Sequence, residues 1–312
     1  GAHPGPACYG AGGPLTVTDV NLLLGRLDPG QFGIPVNLEA AREALEAIRS
    51  ALPEPTAEEE LLAGFLEIAN ERMADAVQKI SIREGYDPAE YALVAFGGAG
   101  GQHACAIAEK LGISTVLCPS DSGLLSARGL REAVMERFSE RQLLLPLSEL
   151  TTGLPETIAE LEQQAFGRLL AEGLEAEKIV IRRRLVSLRH TGQESAEEIE
   201  YRNGIDLTEA FRVRYESLFG YWPENKSIEV VSARVIASTE LPPIPTETFD
   251  VQTEATNNEP IIRRESLTDG SRIDGPSIVQ DRFCTISIGE HWQGILGSNG
   301  TIKLERISTG KS

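Results

Sequence analysis

The sequence predicts an α/β fold class, continued by an α+β part and a small β-rich end. A buried strand at 91–96, a glycine-rich turn at 97–101, a helix at 102–111 and a strand at 115–118 form a β-loop-α-β unit. After about residue 146, long strand patterns combine with amphipathic helices. Short strand candidates follow residue 275. We therefore predict three parts, covering residues 1–146, 147–240 and 241–312.

Length and composition limit the classes of protein to which the chain can belong. Its 312 residues, of which 41% are hydrophobic, suffice for the cores of two domains, or three. The net charge of −18 argues against binding to nucleic-acid phosphates. No apolar run reaches the roughly 18–20 residues of a membrane span, and the four cysteines are scattered. We expect a cytoplasmic protein with reduced thiols, no membrane partner and no nucleic-acid partner.

The elements of the first part follow from capping residues and periodicity. Thr18 or Asp19 can cap a short helix that ends at Gly25, and residues 38–50 form a second helix. A third helix begins with a predicted capping box between Thr56 and Glu59. Its apolar residues recur at steps of three and four, which predicts one face packed on a sheet.

The later elements follow by the same reasoning. Residues 124–130 favour a short helix, and 132–145 fits a strand better than a helix although its alternation is incomplete. Asp206 caps a helix that ends near Phe219. The Pro-, Thr- and Glu-rich stretch 241–260 is a surface linker. The remaining elements are a helix at 154–173 and strands at 179–201 (with a turn at 191–193), 227–239, 277–280, 283–288, 294–296 and 301–305.

The glycine-rich turn is the sharpest chemical signal. Gly97, Gly98, Ala99 and Gly100 leave backbone exposed between a strand and a helix, where the first amides of the helix attract anions. A nucleotide site is one interpretation, and a tight turn that packs the helix on the sheet is the other. The motif is not a P-loop, because no Gly-Lys-Ser/Thr follows the glycines.

Four polar residues lie near this turn or near the first helix. His103 follows the glycines by one turn and suits either a ligand contact or a structural role. Asp19 and Asn21 lie among short polar side chains that suit helix capping or a cation or water site. His3 lies in a Gly/Pro loop, a kind of segment that often binds ligands.

Seven stretches together resemble one family. Residues 1–10 (GAHPGPACYG) and 15–27 (LTVTDVNLLLGRL) resemble the PGPACYG and TVTDxNLxLGRL motifs of the hydantoinase A / 5-oxoprolinase / acetone carboxylase β-subunit family. Residues 95–104 (AFGGAGGQHA) are similar to its AFGGAGPLHA motif. Shorter similarities lie at GLLSA (123–127), RHTGQ (189–193), FGY (219–221) and GPSIV (275–279).

The resemblance implies an actin- and hexokinase-like (ribonuclease H-like) nucleotide-binding fold and an ATP-dependent mechanism. In that family, ATP with Mg²⁺ phosphorylates the carbonyl oxygen of a cyclic amide such as 5-oxoproline or a hydantoin, and water opens the ring. On this view Gly97 to Gly100 bind the nucleotide, Asp19 and His103 are the catalytic candidates, and His3 and Asn21 are the substrate-binding candidates. No residue is assigned to a metal.

The resemblance also implies that the chain is incomplete. The family's DxGGT phosphate loops are absent from these residues, so we expect them in an N-terminal half of the same protein and expect no ATP hydrolysis by the chain alone. A hydantoinase B-type subunit is a second expected partner. The rival hypothesis is a subunit-docking or assembly module whose glycine turn serves packing alone. Gly101 and Gln102 replace the family's Pro-Leu, which leaves the substrate open between 5-oxoproline, hydantoins and ketones.

Overall fold

The structure is a computed structural model that describes residues 3–31, 34–150, 153–241, 248–249 and 261–307. It divides into two compact units, one formed by residues 1–127 with 245–312 and the other by 128–244. The helices are α1 (Val17–Leu23), α2 (Leu38–Ala51), α3 (Glu58–Arg83), α4 (Gly100–Lys110), α5 (Leu125–Arg131), α6 (Gly153–Ala171) and α7 (Leu207–Phe219). The strands are β1 (Leu93–Val94), β2 (Thr115–Cys118), β3 (Glu136–Pro146), β4 (Ile179–His190), β5 (Glu197–Glu200), β6 (Ile228–Thr239), β7 (Ile261–Arg263), β8 (Arg272–Asp274), β9 (Ser277–Gln280), β10 (Thr285–Ile288), β11 (Trp292–Leu296) and β12 (Ile302–Arg306).

The first unit contains two sheets around one core. A five-stranded sheet has the order β1-β2-β12-β11-β8, with β1 and β2 parallel and the other pairs antiparallel. A three-stranded sheet has the order β10-β9-β7. Apolar residues of both sheets and of α4 form one cluster, in which Trp292 is completely buried. Burial of this apolar area is the main stabilising contribution in the unit.

The strand pairings divide the chain differently from the sequence-based borders at 146/147 and 240/241. β12 pairs with β2 over four residue pairs, so the C-terminal strands complete the sheet that β1 and β2 begin. β3, which the sequence placed in the first part, pairs with β6 in the second unit. These pairings join residues that are far apart in sequence, and local patterns do not reveal them.

β1 is shorter and more exposed than predicted. Of the predicted strand 91–96, only Leu93 and Val94 form a ladder, although the Ala95 N–H also donates to the Leu117 carbonyl at 2.8 Å. Val94 and Phe96 are 47% and 54% exposed. Within the described residues β1 pairs with β2 alone, so it is an edge strand, and the prediction of a fully buried strand was wrong.

The first capping box lies at α1 rather than α3. The Asp19 carboxylate accepts hydrogen bonds from the Thr16 N–H and hydroxyl at 2.7 and 2.8 Å, so Thr16 is the N-cap residue and Asp19 lies inside the helix. At α3 the N-cap residue is Ala57, and the Thr56 hydroxyl donates to the Glu54 carbonyl instead. The predicted capping roles of Thr18 and Thr56 are therefore corrected. α1, α2 and α3 bury small apolar clusters against one another.

The second unit is a four-stranded antiparallel sheet with two helices. Its strand order is β3-β6-β4-β5, and α6 and α7 supply apolar residues to its core. Asp206 caps α7 by accepting the Thr208 N–H at 3.0 Å and the Glu209 N–H at 3.2 Å, as predicted. The predicted turn at 191–193 separates β4 from β5. The choice of a strand for 132–145 is confirmed by β3.

Two further features bear on the kind of protein. All four cysteines are buried and free. A search of the helices in the described ranges finds none with the length and apolar character of a membrane span. Most of the predicted linker 241–260 lies outside the described residues.

Candidate active site

A cavity of about 440 Å³ in the first unit is lined by four of the eight candidate residues, namely Asn21, Gly98, Ala99 and His103. Its wall comes from the loop before α1, from α1, from the glycine turn with the start of α4, and from the loop between β9 and β10. Convergence of several backbone segments on one concavity is typical of binding sites. The residues relevant to its chemistry are Tyr9, Asn21, Gly98, Ala99, Gln102, His103, Gln280, Arg282 and Phe283.

The glycine turn serves both packing and access. Gly97 has φ +84°, a conformation that side chains disfavour, and its N–H donates to the Ser122 carbonyl at 2.7 Å. A Cβ atom on Gly101 would lie 2.8 Å from the Thr285 carbonyl oxygen, so that glycine is required for packing. A Cβ on Gly98 would meet the Phe283 carbonyl oxygen at 3.2 Å, while Gly98 and Ala99 line the cavity. Packing explains Gly101, and exposed backbone at Gly98 and Ala99 remains open to a ligand.

The arrangement around His103 favours a neutral imidazole. Its Nδ1 lies 2.8 Å from the Oδ1 of Asn70, and both side chains are buried. An amide oxygen only accepts, so Nδ1 carries the proton and Nε2 keeps a free lone pair. Burial lowers the pKa of His103, and the positive charge of Arg26 lowers it further. His103 is therefore able to accept a proton or a hydrogen bond at Nε2.

Asp19 has a structural position. Its side chain is fully buried, and its carboxylate accepts the N–H groups of Ala7, Cys8 and Thr16 at 3.1, 2.7 and 2.7 Å. Burial by itself would raise the pKa of Asp19, but the hydrogen bonds from Cys8 and Thr16 outweigh it and hold the pKa below its usual value of 3.8. The carboxylate ties the loop containing Tyr9 to α1. Asp19 thus holds the loop and the helix together, and its predicted catalytic role stays a prediction.

Two buried carboxamides in the cavity wall have no hydrogen-bond partner for their oxygens. Asn21 is 1% exposed and Gln280 is 4% exposed, and the Oδ1 and Oε1 atoms are unsatisfied among the described residues. A buried amide oxygen without a partner costs about 1–3 kcal/mol. Such atoms are rare. Neither oxygen is accessible from the cavity, so other atoms of the two residues form its wall.

Sequence reasoning missed the loop between β9 and β10 as part of the site. The Asp281 carboxylate accepts the N–H groups of Phe283 and Cys284, both at 2.7 Å, which fixes the loop. The guanidinium of Arg282 lies 5.3 Å from the centre of the Phe283 ring. Gln280 directly follows the GPSIV motif at 275–279, and a polar residue at that strand end was the available signal.

Other predicted residues lie elsewhere. His3 is exposed and does not line the cavity. Gly100 lines a neighbouring apolar cavity of about 700 Å³ formed with residues of α1, α2 and α3, and Ala99 and His103 line both cavities. Across the residues that the structure describes, no group of three His, Cys, Asp or Glu side chains is placed to hold a metal ion.

Comparisons with known proteins identify the family. The profile described as Hydantoinase/oxoprolinase matches residues 1–137. The 5-oxoprolinase PfmaA of Pestalotiopsis fici is 34% identical, over 92% of this chain and 25% of its own length. Caprolactamase subunit alpha of Pseudomonas jessenii is 28% identical, over 97% of this chain and 48% of its own length. The crystal structure of the ATP-dependent caprolactamase from that organism matches with a TM-score of 0.83 and 27% identity, over 98% of this chain and 49% of that one.

The chain belongs to the hydantoinase/oxoprolinase family, as its motifs predicted. The α/β fold class is confirmed by the shared fold. The chain spans between about a quarter and a half of the length of these relatives.

Proposed function

We propose that this chain is the C-terminal part of an ATP-dependent cyclic-amide hydrolase of the 5-oxoprolinase or hydantoinase type, which opens the ring of 5-oxoproline or a hydantoin. The observation that carries the proposal is the cavity in which the glycine turn, α1 and a neutral His103 meet. Its support from relatives is that they are named 5-oxoprolinase and ATP-dependent caprolactamase.

The glycine turn would hold the nucleotide. Gly98 and Ala99 present backbone to the cavity, and α4 begins at Gly100, so its first N–H groups and its dipole favour an anion there. When bound, ATP would supply the phosphoryl group that makes an amide carbonyl a better electrophile. Mg²⁺ would neutralise phosphate charge, and we place its ligands in the N-terminal half.

His103 would act as the proton acceptor. A general base needs a pKa near or below the working pH and a free lone pair in the cavity. The Nδ1–H bond to Asn70 fixes the ring so that Nε2 is the basic atom. Nε2 would take a proton from the water that attacks the activated amide, while the Asp19 carboxylate keeps the loop of Tyr9 in place.

The remaining partners are expected because the chain spans only part of the length of its relatives. We propose that the N-terminal half of the same protein completes the nucleotide site, so that the isolated chain does not hydrolyse ATP, and that the protein is cytoplasmic. A relative is named a subunit alpha, which favours a second, hydantoinase B-type subunit. Docking of that subunit is compatible with catalysis in the cavity.

Nucleotide binding tests the role of the glycine turn. An arginine at position 98 would fill the cavity, whereas an alanine needs only a small shift from the Phe283 carbonyl at 3.2 Å. We expect ATP binding, measured by equilibrium dialysis on the chain joined to its N-terminal half, to be lost in Gly98→Arg and kept within about threefold in Gly98→Ala. Both variants should keep the wild-type circular dichroism spectrum. Unchanged ATP affinity in folded Gly98→Arg would remove the nucleotide from this cavity.

A further inference from the structure

We infer that Arg264 is a positioning residue of the candidate active site, which acts through Asp281 to hold the loop between β9 and β10 as one wall of the cavity. The position of that loop then sets how tightly the cavity binds its ligand. The identity of the ligand as ATP rests on the proposed function, whereas the placement of the loop does not. Three sets of contacts carry the inference, namely those of the Arg264 guanidinium, those of the Asp281 carboxylate and those between the loop and the glycine turn.

Backbone carbonyls fix the Arg264 guanidinium in place. Its Nη2 donates to the carbonyl oxygens of Cys118 and Pro119, at the end of β2, at 3.2 and 3.1 Å. It also donates to the carbonyl oxygen of Gly300, in the turn before β12, at 2.5 Å. Nη1 makes a further contact, to the Asp281 carboxylate at 3.3 Å. Because three carbonyls beside the five-stranded sheet hold Nη2, the guanidinium offers Asp281 a partner in a fixed position.

The Asp281 carboxylate divides its two oxygens between the loop and Arg264. Oδ1 accepts the N–H groups of Phe283 and Cys284, both at 2.7 Å. Oδ2 accepts the Nη1–H of Arg264, and the two side chains are only 15% and 9% exposed, so water competes weakly for this bond. The first oxygen shapes the loop, and the second ties it to the sheet. A change at Oδ2 alone therefore separates the position of the loop from its conformation.

The loop rests directly against the glycine turn. The Thr285 N–H donates to the Gly98 carbonyl at 3.3 Å. The Phe283 carbonyl oxygen lies against two glycines, since a Cβ atom on Gly98 would meet it at 3.2 Å and one on Gly123 would overlap it. Close packing prevents the loop from moving inward. A loop released from Arg264 therefore moves away from the glycine turn.

This movement would displace the side chains that the loop contributes to the cavity. Phe283 and Arg282 line the cavity of about 440 Å³ and also a second cavity of about 370 Å³, which Arg264 lines as well. The Phe283 ring lies 5.3 Å from the Arg282 guanidinium. Displacement of the loop thus changes the shape of the binding cavity without removing any group from it, and binding sites lose affinity when their supporting contacts loosen.

Amide hydrogen exchange, followed by NMR in the ¹⁵N-labelled chain, tests the placement of the loop. Asp281→Asn keeps an oxygen for the two loop N–H groups but presents an amino group to the guanidinium, so it removes only the tie to the sheet. We expect exchange of the Thr285 N–H to become roughly tenfold faster. The Ala95 N–H, which donates to β2 at 2.8 Å in the same unit, should stay within about twofold of its wild-type rate.

The matched control is Asp206→Asn. Asp206 also accepts two backbone N–H groups, but it lies in the second unit, so this variant should leave both exchange rates unchanged. Unchanged exchange at Thr285 in Asp281→Asn would overturn the inference. Equal acceleration at Thr285 and Ala95 would also overturn it, because that result indicates general loosening of the unit.

ATP affinity, measured by equilibrium dialysis on the chain joined to its N-terminal half, tests what the placement does. We expect Arg264→Met and Asp281→Asn each to weaken binding about tenfold in folded protein, and the double variant to weaken it no further, because the two residues act on the loop as one pair. A purely structural Arg264 would lower stability and leave the ATP affinity of folded molecules as in wild type. Full affinity in either single variant, or about a hundredfold loss in the double variant, would overturn the inference.

The two assays separate this inference from the proposed function. Failure of the wild-type protein to bind ATP would remove the nucleotide from the cavity, while exchange at Thr285 would still decide whether Arg264 and Asp281 position the loop. Wild-type ATP affinity in a variant with a released loop would leave the proposed function standing and remove the inference.

Discussion

Replacement of Asp19 by alanine tests whether that buried carboxylate holds the wall of the cavity together. Asp19→Ala removes the acceptor for three backbone N–H groups, those of Ala7, Cys8 and Thr16, and for the Thr16 hydroxyl. Unpaired buried donors cost about 1–3 kcal/mol each, and entry of water recovers part of this, so we expect a loss of roughly 4 kcal/mol. Asp19→Asn keeps one oxygen and should lose about half as much.

Tryptophan fluorescence during urea unfolding can measure this loss of stability in the first structural unit, which contains Asp19. Trp292 is buried in the first unit, and Trp222 lies in the second, so a Trp222→Phe background leaves one reporter. With a slope of about 2 kcal/mol per molar urea, Asp19→Ala should lower the midpoint by about 2 M. The control is Asp206→Ala, which removes a cap in the other unit and should leave the Trp292 transition in place.

The pH dependence of stability provides a second test of the role of Asp19. The folded pKa lies below 3.8, so the stabilisation is complete above that value and is lost as the pH falls through the folded pKa. Asp19→Asn should lose this part of the acid dependence. A midpoint within 0.3 M of wild type for Asp19→Ala, or a folded Asp19→Asn protein that is inactive at full stability, would refute the positioning role.

Three further predictions concern packing and protonation. Gly101→Ala should lower the stability of the first unit by about 1–3 kcal/mol in the same urea assay, because a Cβ at 101 would lie 2.8 Å from a carbonyl oxygen. Gly98→Ala should lower it by less than about 1 kcal/mol. Equal losses in the two variants would contradict the packing argument. Arg264→Met should lower the free energy of unfolding of the first unit by about 3 kcal/mol, since the guanidinium is mostly buried and donates to three backbone carbonyls. A loss below about 1 kcal/mol would contradict this prediction. The NMR titration of His103 should have its midpoint below 6.5, so the contribution of His103 to stability is complete above pH 6.5 and is lost as the pH falls through the folded pKa. Asn70→Asp should raise that midpoint. A wild-type midpoint above 6.5 would contradict the neutral imidazole.

Local features of the fold were predictable where one short segment determines them. The Asp206 cap, the turn after His190 and the strand β3 each follow from a few adjacent residues. The predicted capping box at Thr56 was wrong because the short pattern on which it rested is not specific to a capping box. The pattern Thr-x-x-Glu also occurs when the hydroxyl bonds elsewhere, and here it bonds the Glu54 carbonyl. At Thr16 an aspartate takes the place of the expected glutamate, and the box forms there.

The site was only partly predictable because part of its wall comes from the distant stretch 280–285. Gly98, Asn21 and His103 were found through motifs, and all three line the cavity. Gln280 and Phe283 reach it through the β9–β10 hairpin, in which the Thr285 N–H donates to the carbonyl of Gly98, more than 150 residues earlier, at 3.3 Å. No local pattern encodes such a contact. The fully bonded state of Asp19 likewise depends on amides from the loop before α1.

We propose that the cavity beside the glycine turn serves ATP-dependent opening of cyclic amides. The most direct measurement is turnover by the chain joined to its N-terminal half and supplied with its partner subunit, with release of ADP and ring-opened product followed together for 5-oxoproline, hydantoin and caprolactam. We predict equal amounts of ADP and product for one or more of these amides, no turnover by the chain alone, and loss of turnover in a folded His103→Gln variant. Full turnover in that variant, or ADP release that none of the cyclic amides stimulates, would contradict it.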